Sequence, residues 1–111
     1  MSMAKRYRMS IHDMNRKKLW ELYDSEMETD GEAREVVISK ERSGWKQIEF
    51  SIDRYLNDGT VNPRCNYIRN DFQVRLTEDS KSDWYTIVAP TDIHDGNVLS
   101  YDVLCEHVSG G

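Results

Sequence analysis

The stretch DFQVRLTEDSKSDWYTIVAPTDIHDGNVLSYDVLCEHV, residues 71–108, reads as three consecutive strands joined by polar turns. Phe72, Val74 and Leu76 alternate with Gln73, Arg75 and Thr77, the two-residue period of a strand with one buried face. The run 78–83 (EDSKSD) is too polar to bury and rich in turn formers, so the chain is expected to reverse there. Residues 84–89 (WYTIVA) are aromatic, β-branched or small apolar, and Pro90 ends the run. Asp95-Gly96-Asn97 marks a second turn. Residues 98–108 (VLSYDVLCEHV) then form the longest expected strand. Leu99, Tyr101, Val103, Cys105 and His107 share one of its faces, and Val98, Ser100, Asp102, Leu104 and Glu106 share the other. A three-stranded antiparallel meander is near the minimum that stands in water with one apolar face. The rest of the chain is expected to pack on it.

Before this stretch, residues 5–12 (KRYRMSIH) alternate Tyr7, Met9 and Ile11 with Arg6, Arg8 and Ser10, a first strand. After a polar turn at 13–16, residues 18–23 (KLWELY) form a second, with Leu19, Glu21 and Tyr23 opposite Trp20 and Leu22, and the two are expected to pair as a hairpin. The acidic segment 24–35, with Asp30-Gly31, reads as a loop. Residues 33–40 (AREVVISK) form a third strand with Val36 and Ile38 in phase, and Ser43-Gly44 turns the chain. Residues 45–55 (WKQIEFSIDRY) form a fourth, with Ile48, Phe50 and Ile52 inward and Gln47, Glu49 and Ser51 toward water or a neighbour. Residues 56–66 are irregular because Asn57-Asp58-Gly59 and Asn62-Pro63 are breakers, and they suit a loop across one end of a barrel. Asn70-Asp71 is a turn or bulge. The fold class is mostly β, a small antiparallel barrel or sandwich of about seven strands. The expected core is Ile48, Phe50, Ile52, Phe72, Val74, Leu76, Ile87, Leu99, Tyr101 and Val103.

At 111 residues the chain is expected to be one domain, 1–111. With 38% hydrophobic and 32% charged residues it can bury only a small core, to which three Trp and six Tyr contribute much of the area. A net charge of −5 argues against general affinity for nucleic acid or anionic lipid. No apolar run reaches the length of a membrane span, and the N-terminus lacks the apolar core of a signal peptide. Cys65 and Cys105 are expected as buried free thiols rather than a disulfide.

Little in the chain suggests catalysis. The zinc-ligating residue types His94, Cys105 and His107, with Cys65, are all present, but the Cys105–His107 spacing fits no finger, ribbon or protease motif. A core Cys105 and a strand-end His107 are the favoured reading. Asp92 and Asp95 flank His94, where Asp and Gly also serve as turn residues after Pro90. There is no Gly-x-Ser-x-Gly, no P-loop and no Gly-x-Gly-x-x-Gly. No enzyme is expected, and no catalytic, metal or cofactor-binding residue is assigned. Lys5, Arg6, Arg8, Arg16, Lys17 and Lys18 form a basic N-terminal group in which Tyr7 and Trp20 can stack on bases. The carboxylates from Glu21 to Glu35 offset it. Trp20, Tyr23, Trp45, Trp84 and Tyr85 are the candidate interface residues, since aromatics are enriched at interface centres. A closed barrel that lays one set of aromatics under loops accounts for them equally well.

Several pieces, in order, carry a resemblance. They are Leu19-Trp20-Glu21-Leu22-Tyr23-Asp24; Gly44-Trp45-Lys46-Gln47-Ile48-Glu49-Phe50-Ser51-Ile52; Asn62-Pro63 and Tyr67-Ile68-Arg69-Asn70-Asp71 running into Phe72-Gln73-Val74-Arg75-Leu76; and Trp84-Tyr85-Thr86-Ile87 followed by Val103-Leu104-Cys105-Glu106-His107. Across most of its length the chain resembles the N-terminal domain of tail hub proteins, a tail-associated structural family of phages and prophages of Gram-positive bacteria. The 24–35 segment matches nothing in that pattern. The resemblance implies a tail-tube type barrel or sandwich, and a trimeric hub joining the distal tail ring to the tip around a DNA channel. It further implies a homo-oligomer in the full-length protein, other tail proteins as partners, DNA only as passing cargo and no membrane binding. The expected location is the virion tail, assembled in the host bacterial cytoplasm, and the chain is expected to be an N-terminal fragment of a longer protein. Members can carry a peptidoglycan-cleaving domain further on, from which no position carries over. An acidic surface suits a lumen through which DNA slides. The alternative is a small β-barrel binding module for a ligand or nucleic acid, marked by a polar cavity or by a basic stripe on the N-terminal strands.

Overall fold

The computed structural model describes residues 6–27, 29–40, 46–79, 81–90 and 99–108, with 89 and 90 described through their backbone. Seven strands run β1 Tyr7–His12, β2 Lys18–Asp24, β3 Arg34–Lys40, β4 Lys46–Asp53, β5 Gln73–Glu78, β6 Lys81–Pro90 and β7 Ser100–His107. All neighbours are antiparallel, in the order β2-β1-β5-β6-β7-β4-β3, and the single sheet curls into a half-barrel. The β5-β6-β7 meander forms its centre, with the β1–β2 hairpin on one flank and β3–β4 on the other. The curl brings Lys40 of β3 to within 3.2 Å of the Glu78 carboxylate of β5, four places away in the sheet. Lys46 of β4 similarly lies 3.5 Å from Asp83 of β6.

The period of two fills the concave side. Met9 and Ile11, Ile48, Phe50 and Ile52, Val74 and Leu76, Tyr85 and Ile87, and Tyr101, Val103 and Cys105 are buried from five strands. Each large apolar side chain so enclosed contributes about 1.5–3 kcal/mol over exposure. Cys65 and Cys105 are buried free thiols, and burial raises the pKa of both.

Five expectations need correction. Leu99 is 65% exposed: it lies just before the Asp53–Ser100 pair that ends the β4–β7 ladder, and only its carbonyl is still held, by the Arg54 amide at 2.9 Å. Phe72 is half-buried and packs at the rim, one residue ahead of β5. The expected turn at 78–83 is mostly strand: Leu76 pairs with Asp83, Thr77 with Ser82 and Glu78 with Lys81, leaving two residues between the strands. Polar residues are tolerated there because the outward side chains meet water and one another, as with Thr77 and Ser82, whose hydroxyls are 3.2 Å apart. The longest strand is therefore β6, with ten residues, rather than β7, with eight. Finally, β2 does not alternate. Its ladder to β1 slips at Leu22 and again at Leu19, so Leu22 is buried while Trp20 is 40% exposed.

The segment between β4 and β5 crosses the open side and carries a 3₁₀ helix, Pro63–Tyr67, that the sequence did not predict. Asn62 caps it, accepting from the Arg64 amide at 3.1 Å, and Pro63 starts it with a preset φ. Asn62 also donates to the carbonyls of Gly31 at 2.8 Å and Asp53 at 2.9 Å. The buried Arg64 donates from Nε to the Glu21 carbonyl at 2.8 Å and from Nη1 to the Asp30 carbonyl at 3.1 Å. Burial lowers the Arg64 pKa, and the charges of Glu32, Asp30 and Glu21 oppose that. The acidic 24–35 loop thus surrounds a buried cation. Its carboxylates also fix the loop itself: Glu32 accepts from the amides of Thr29 at 2.6 Å and Asp24 at 3.2 Å, and Asp30 accepts from Asn57 at 2.8 Å.

Candidate interaction surface

The convex side of the sheet divides by charge. On β1, β5 and β6 the outward residues are Arg8, Ser10 and His12, then Gln73, Arg75 and Thr77, then Ser82, Trp84 and Thr86. None is acidic. Register sets Arg75 directly between Ser10 and Trp84, so the arginine crosses the indole. The Arg75 guanidinium lies 5.7 Å from the Trp84 ring centroid, and Arg16, reaching in from the β1–β2 turn, lies 4.6 Å from it. Arg16 also donates to Gln73 Oε1 at 3.0 Å, and Arg75 to Ser82 Oγ at 3.2 Å. The turn that presents Arg16 is held by Asp13, whose carboxylate accepts from the amides of Asn15 at 2.8 Å and Lys17 at 2.9 Å. Arg16 itself has φ 66°.

His12 lies beneath this cluster, edge-on to Trp84 with ring centroids 4.7 Å apart. Its ring nitrogens contact Ser10 Oγ at 2.8 Å and the Arg16 carbonyl at 3.0 Å, the latter bond requiring Nδ1–H as donor. Burial lowers its pKa. The Arg16 carbonyl and Asp13 oppose the shift, while Arg75 and Lys18 reinforce it.

On β3, β4 and β7 the convex side carries Glu35, Glu49, Asp53, Asp102 and Glu106. Asp53 is engaged by Arg34 in a two-pronged pair at 2.7 and 3.0 Å. Glu35 feels the charge of Arg34 without closing a salt bridge, and Glu49, Asp102 and Glu106 have no salt-bridge partner among the described residues. Ser51 Oγ donates to Asp102 at 2.9 Å and lies 3.4 Å from Glu35. Val37 and Leu104 sit among these acids and line an open cleft of about 460 Å³ with Glu35, Glu49 and Asp102. Glu35 has φ 54° at an irregular step in the β3–β4 ladder, where three residues of β3 span two of β4.

The five candidate aromatics do not form one patch. Trp84 is half-buried on the convex face of β6. Trp20 stacks on Tyr67, with centroids 6.2 Å apart, and Tyr23 stacks on Tyr7 at 4.9 Å. Both sit on β2, separated from β6 by β1 and β5. Tyr85 is removed from the surface set. It alternates with Trp84 and is fully buried, and its hydroxyl has no hydrogen-bond partner among the described residues. Trp45 lies outside the described residues, as do His94, Asp92 and Asp95. Cys105 is in the core, and His107 stands at the end of β7, edge-on to Tyr85 and 3.3 Å from Asp83. No group of three or more metal-ligating side chains occurs among the described residues.

Of the basic N-terminal group, Arg6 pairs with Glu26 at 2.9 Å and Lys18 pairs with Glu21. Arg8 and Arg16 have no carboxylate partner among the described residues, and Arg75 joins them from β5. The part played by Arg75 was missed in the sequence. A two-residue β5–β6 turn would have placed it opposite Trp84. Compared with known proteins, the chain matches no family model, no curated protein and no solved structure.

Proposed function

We propose that this domain is a structural, non-enzymatic assembly module of a phage or prophage tail hub, built into a ring with other tail proteins. The observation that supports it most is the inequality of the two sheet edges. The β2 edge is occupied, with the Glu21 carbonyl taken by Arg64 and the Leu22 carbonyl accepting from the Ala33 amide at 3.0 Å. β3 pairs with β4 alone, and no backbone bond among the described residues covers its outer side. Val37 on that strand is 52% exposed. An uncovered edge strand is a template for another chain, and an assembly module gives it a partner. The order of strand motifs resembling tail hub proteins is what favours a tail hub as that assembly. Light scattering on the chain, and on a version extended by any residues its gene encodes beyond Gly111, tests the reading. A trimer in either is expected, and a monomer in both overturns it.

The basic stripe of Arg8, Arg16 and Arg75 favours a second reading, a module that binds an anionic ligand or nucleic acid. A shift of a fluorescent single-stranded oligonucleotide by the pure protein would support it.

A further inference from the structure

We propose that copies of this chain associate head to tail, the Arg8–Arg16–Arg75–Trp84 face of one docking on the Glu35–Glu49–Asp102–Glu106 face of the next. The inference rests on the assembly reading and specifies its copy-to-copy contact. Three arginines on one half of the convex surface lack a salt bridge to a carboxylate, and on the other half Glu49, Asp102 and Glu106 lack a salt bridge to a cation, among the described residues. Guanidinium forks match carboxylates in geometry as well as in charge. The acidic face also carries apolar area for the centre of a contact, Val37 with Leu104, while on the basic face Trp84 serves as the platform that holds the Arg16 and Arg75 guanidinium groups.

The curl of the sheet sets the symmetry. The two faces meet where Thr86 of β6 pairs with Glu106 of β7, and from that seam they spread over the two flanks of the curled sheet, through β5 and β1 on one side and β4 and β3 on the other. One copy therefore offers its basic face to one neighbour and its acidic face to another. Such a heterologous contact gives a closed ring when the rotation between copies closes. Nucleic acid suits the basic face less well. The Arg16 guanidinium lies over the Trp84 ring that a base would stack on, and the net charge of −5 repels phosphate.

Two double variants test this, each changing only exposed positions. Arg8→Glu with Arg75→Glu leaves two acidic faces, and Glu49→Lys with Asp102→Lys leaves two basic ones. Sedimentation is run on wild type, on each variant and on their equimolar mixture, with circular dichroism as the folding control. Wild type is expected to assemble, with apparent affinity falling at least about tenfold between 50 and 500 mM salt. Each variant alone is expected to be monomeric, and the mixture to co-sediment as a complex. The salt series reads wild type alone, so it stands even if a variant fails to fold. Wild type that assembles without salt dependence, or variants that assemble as wild type does, overturns the face pairing and leaves the assembly reading in place. Wild type that stays monomeric at every concentration overturns both. Oligonucleotide binding that the arginine variant abolishes, with no self-association of wild type, assigns the basic face to nucleic acid and also overturns the proposal.

Discussion

The Nε of Arg64 donates to the backbone carbonyl of Glu21 at 2.8 Å, so a side chain from the crossing segment occupies an edge that another strand would otherwise pair. Arg64→Met keeps much of the bulk but leaves the Glu21 and Asp30 carbonyls without these donors. The expected loss is about 1–3 kcal/mol in urea unfolding. Arg64→Lys recovers only part of it, since one ammonium cannot replace a fork that reaches both carbonyls. A full recovery by lysine would show that charge alone matters here.

Gly31 and Gly59 share φ 88° but differ in their surroundings. A Cβ at Gly31 would lie 2.5 Å from Leu56 Cδ2 and 2.9 Å from Asn62 Nδ2, while one at Gly59 would meet nothing within 4 Å. Gly59→Ala carries the backbone strain alone, about 1–2 kcal/mol. Gly31→Ala adds overpacking against the Asn62–Arg64 plug, about 1–3 kcal/mol more. Equal losses in thermal melts would mean that the plug yields freely.

Tyr85 and Tyr101 are both buried, but only Tyr101 has its hydroxyl satisfied, accepting from Arg54 Nη1 at 2.8 Å. Tyr85→Phe is expected to leave stability unchanged or raise it by about 1 kcal/mol, whereas Tyr101→Phe lowers it by about 0.5–1.5 kcal/mol. Burial, with Asp83, Glu78 and Cys105 adding to it, pushes the Tyr85 phenol up to about 12. In an absorbance titration of the folded protein, Tyr85→Phe should therefore leave the ionisation near pH 10 unaltered. The opposite order of stabilities would point to a partner for the Tyr85 hydroxyl.

His12 gives the fold a pH dependence of defined sign. Its folded pKa lies below the ordinary value of 6.5, chiefly because of burial. Between those two values the unfolded chain binds more protons, so stability rises with pH there. The contribution is fully present above about pH 6.5 and is lost as pH falls through the folded pKa. The melting temperature should drop as pH falls below about 6.5, less so for His12→Gln. For Asp83, burial is outweighed by His107 and Lys46, and its pKa falls below 3.8. Its stabilisation is lost only in more acidic solution, which separates the two effects. An unchanged slope in His12→Gln would assign the acid sensitivity elsewhere.

Much of the fold was legible because its inward residues keep a strict period of two. Met9 and Ile11, Ile48 to Ile52, and Val74 with Leu76 each mark a strand and its buried face. The β2 pattern misled, since the slips at Leu22 and Leu19 change the side-chain direction without changing composition. Leu99 misled for the opposite reason: its phase suits the core, but the ladder begins only at the next residue, Ser100. The plug was illegible because Asn62 and Arg64 find partners 31 to 43 positions away, through backbone carbonyls that carry no sequence signal. The charge division of the convex surface needed strand order as well as strands. Arg8 and Arg75 are far apart in sequence, and only the pairing of β1 with β5 makes them neighbours.

That pairing also sets an order of events during synthesis. β1 and β2 can join as soon as both are made, and so can β3 and β4, because each pair is local in sequence. Yet β1 finds its second neighbour only when β5 emerges, and β4 only when β7 does. Loop closure of this length is slow and leaves apolar faces uncovered meanwhile. On a ribosome the β3–β4 hairpin would therefore wait with Ile48, Phe50 and Ile52 exposed until the eight residues of β7 arrive. This nascent interval, rather than the finished domain, is where the chain is most open to aggregation and to capture by chaperones.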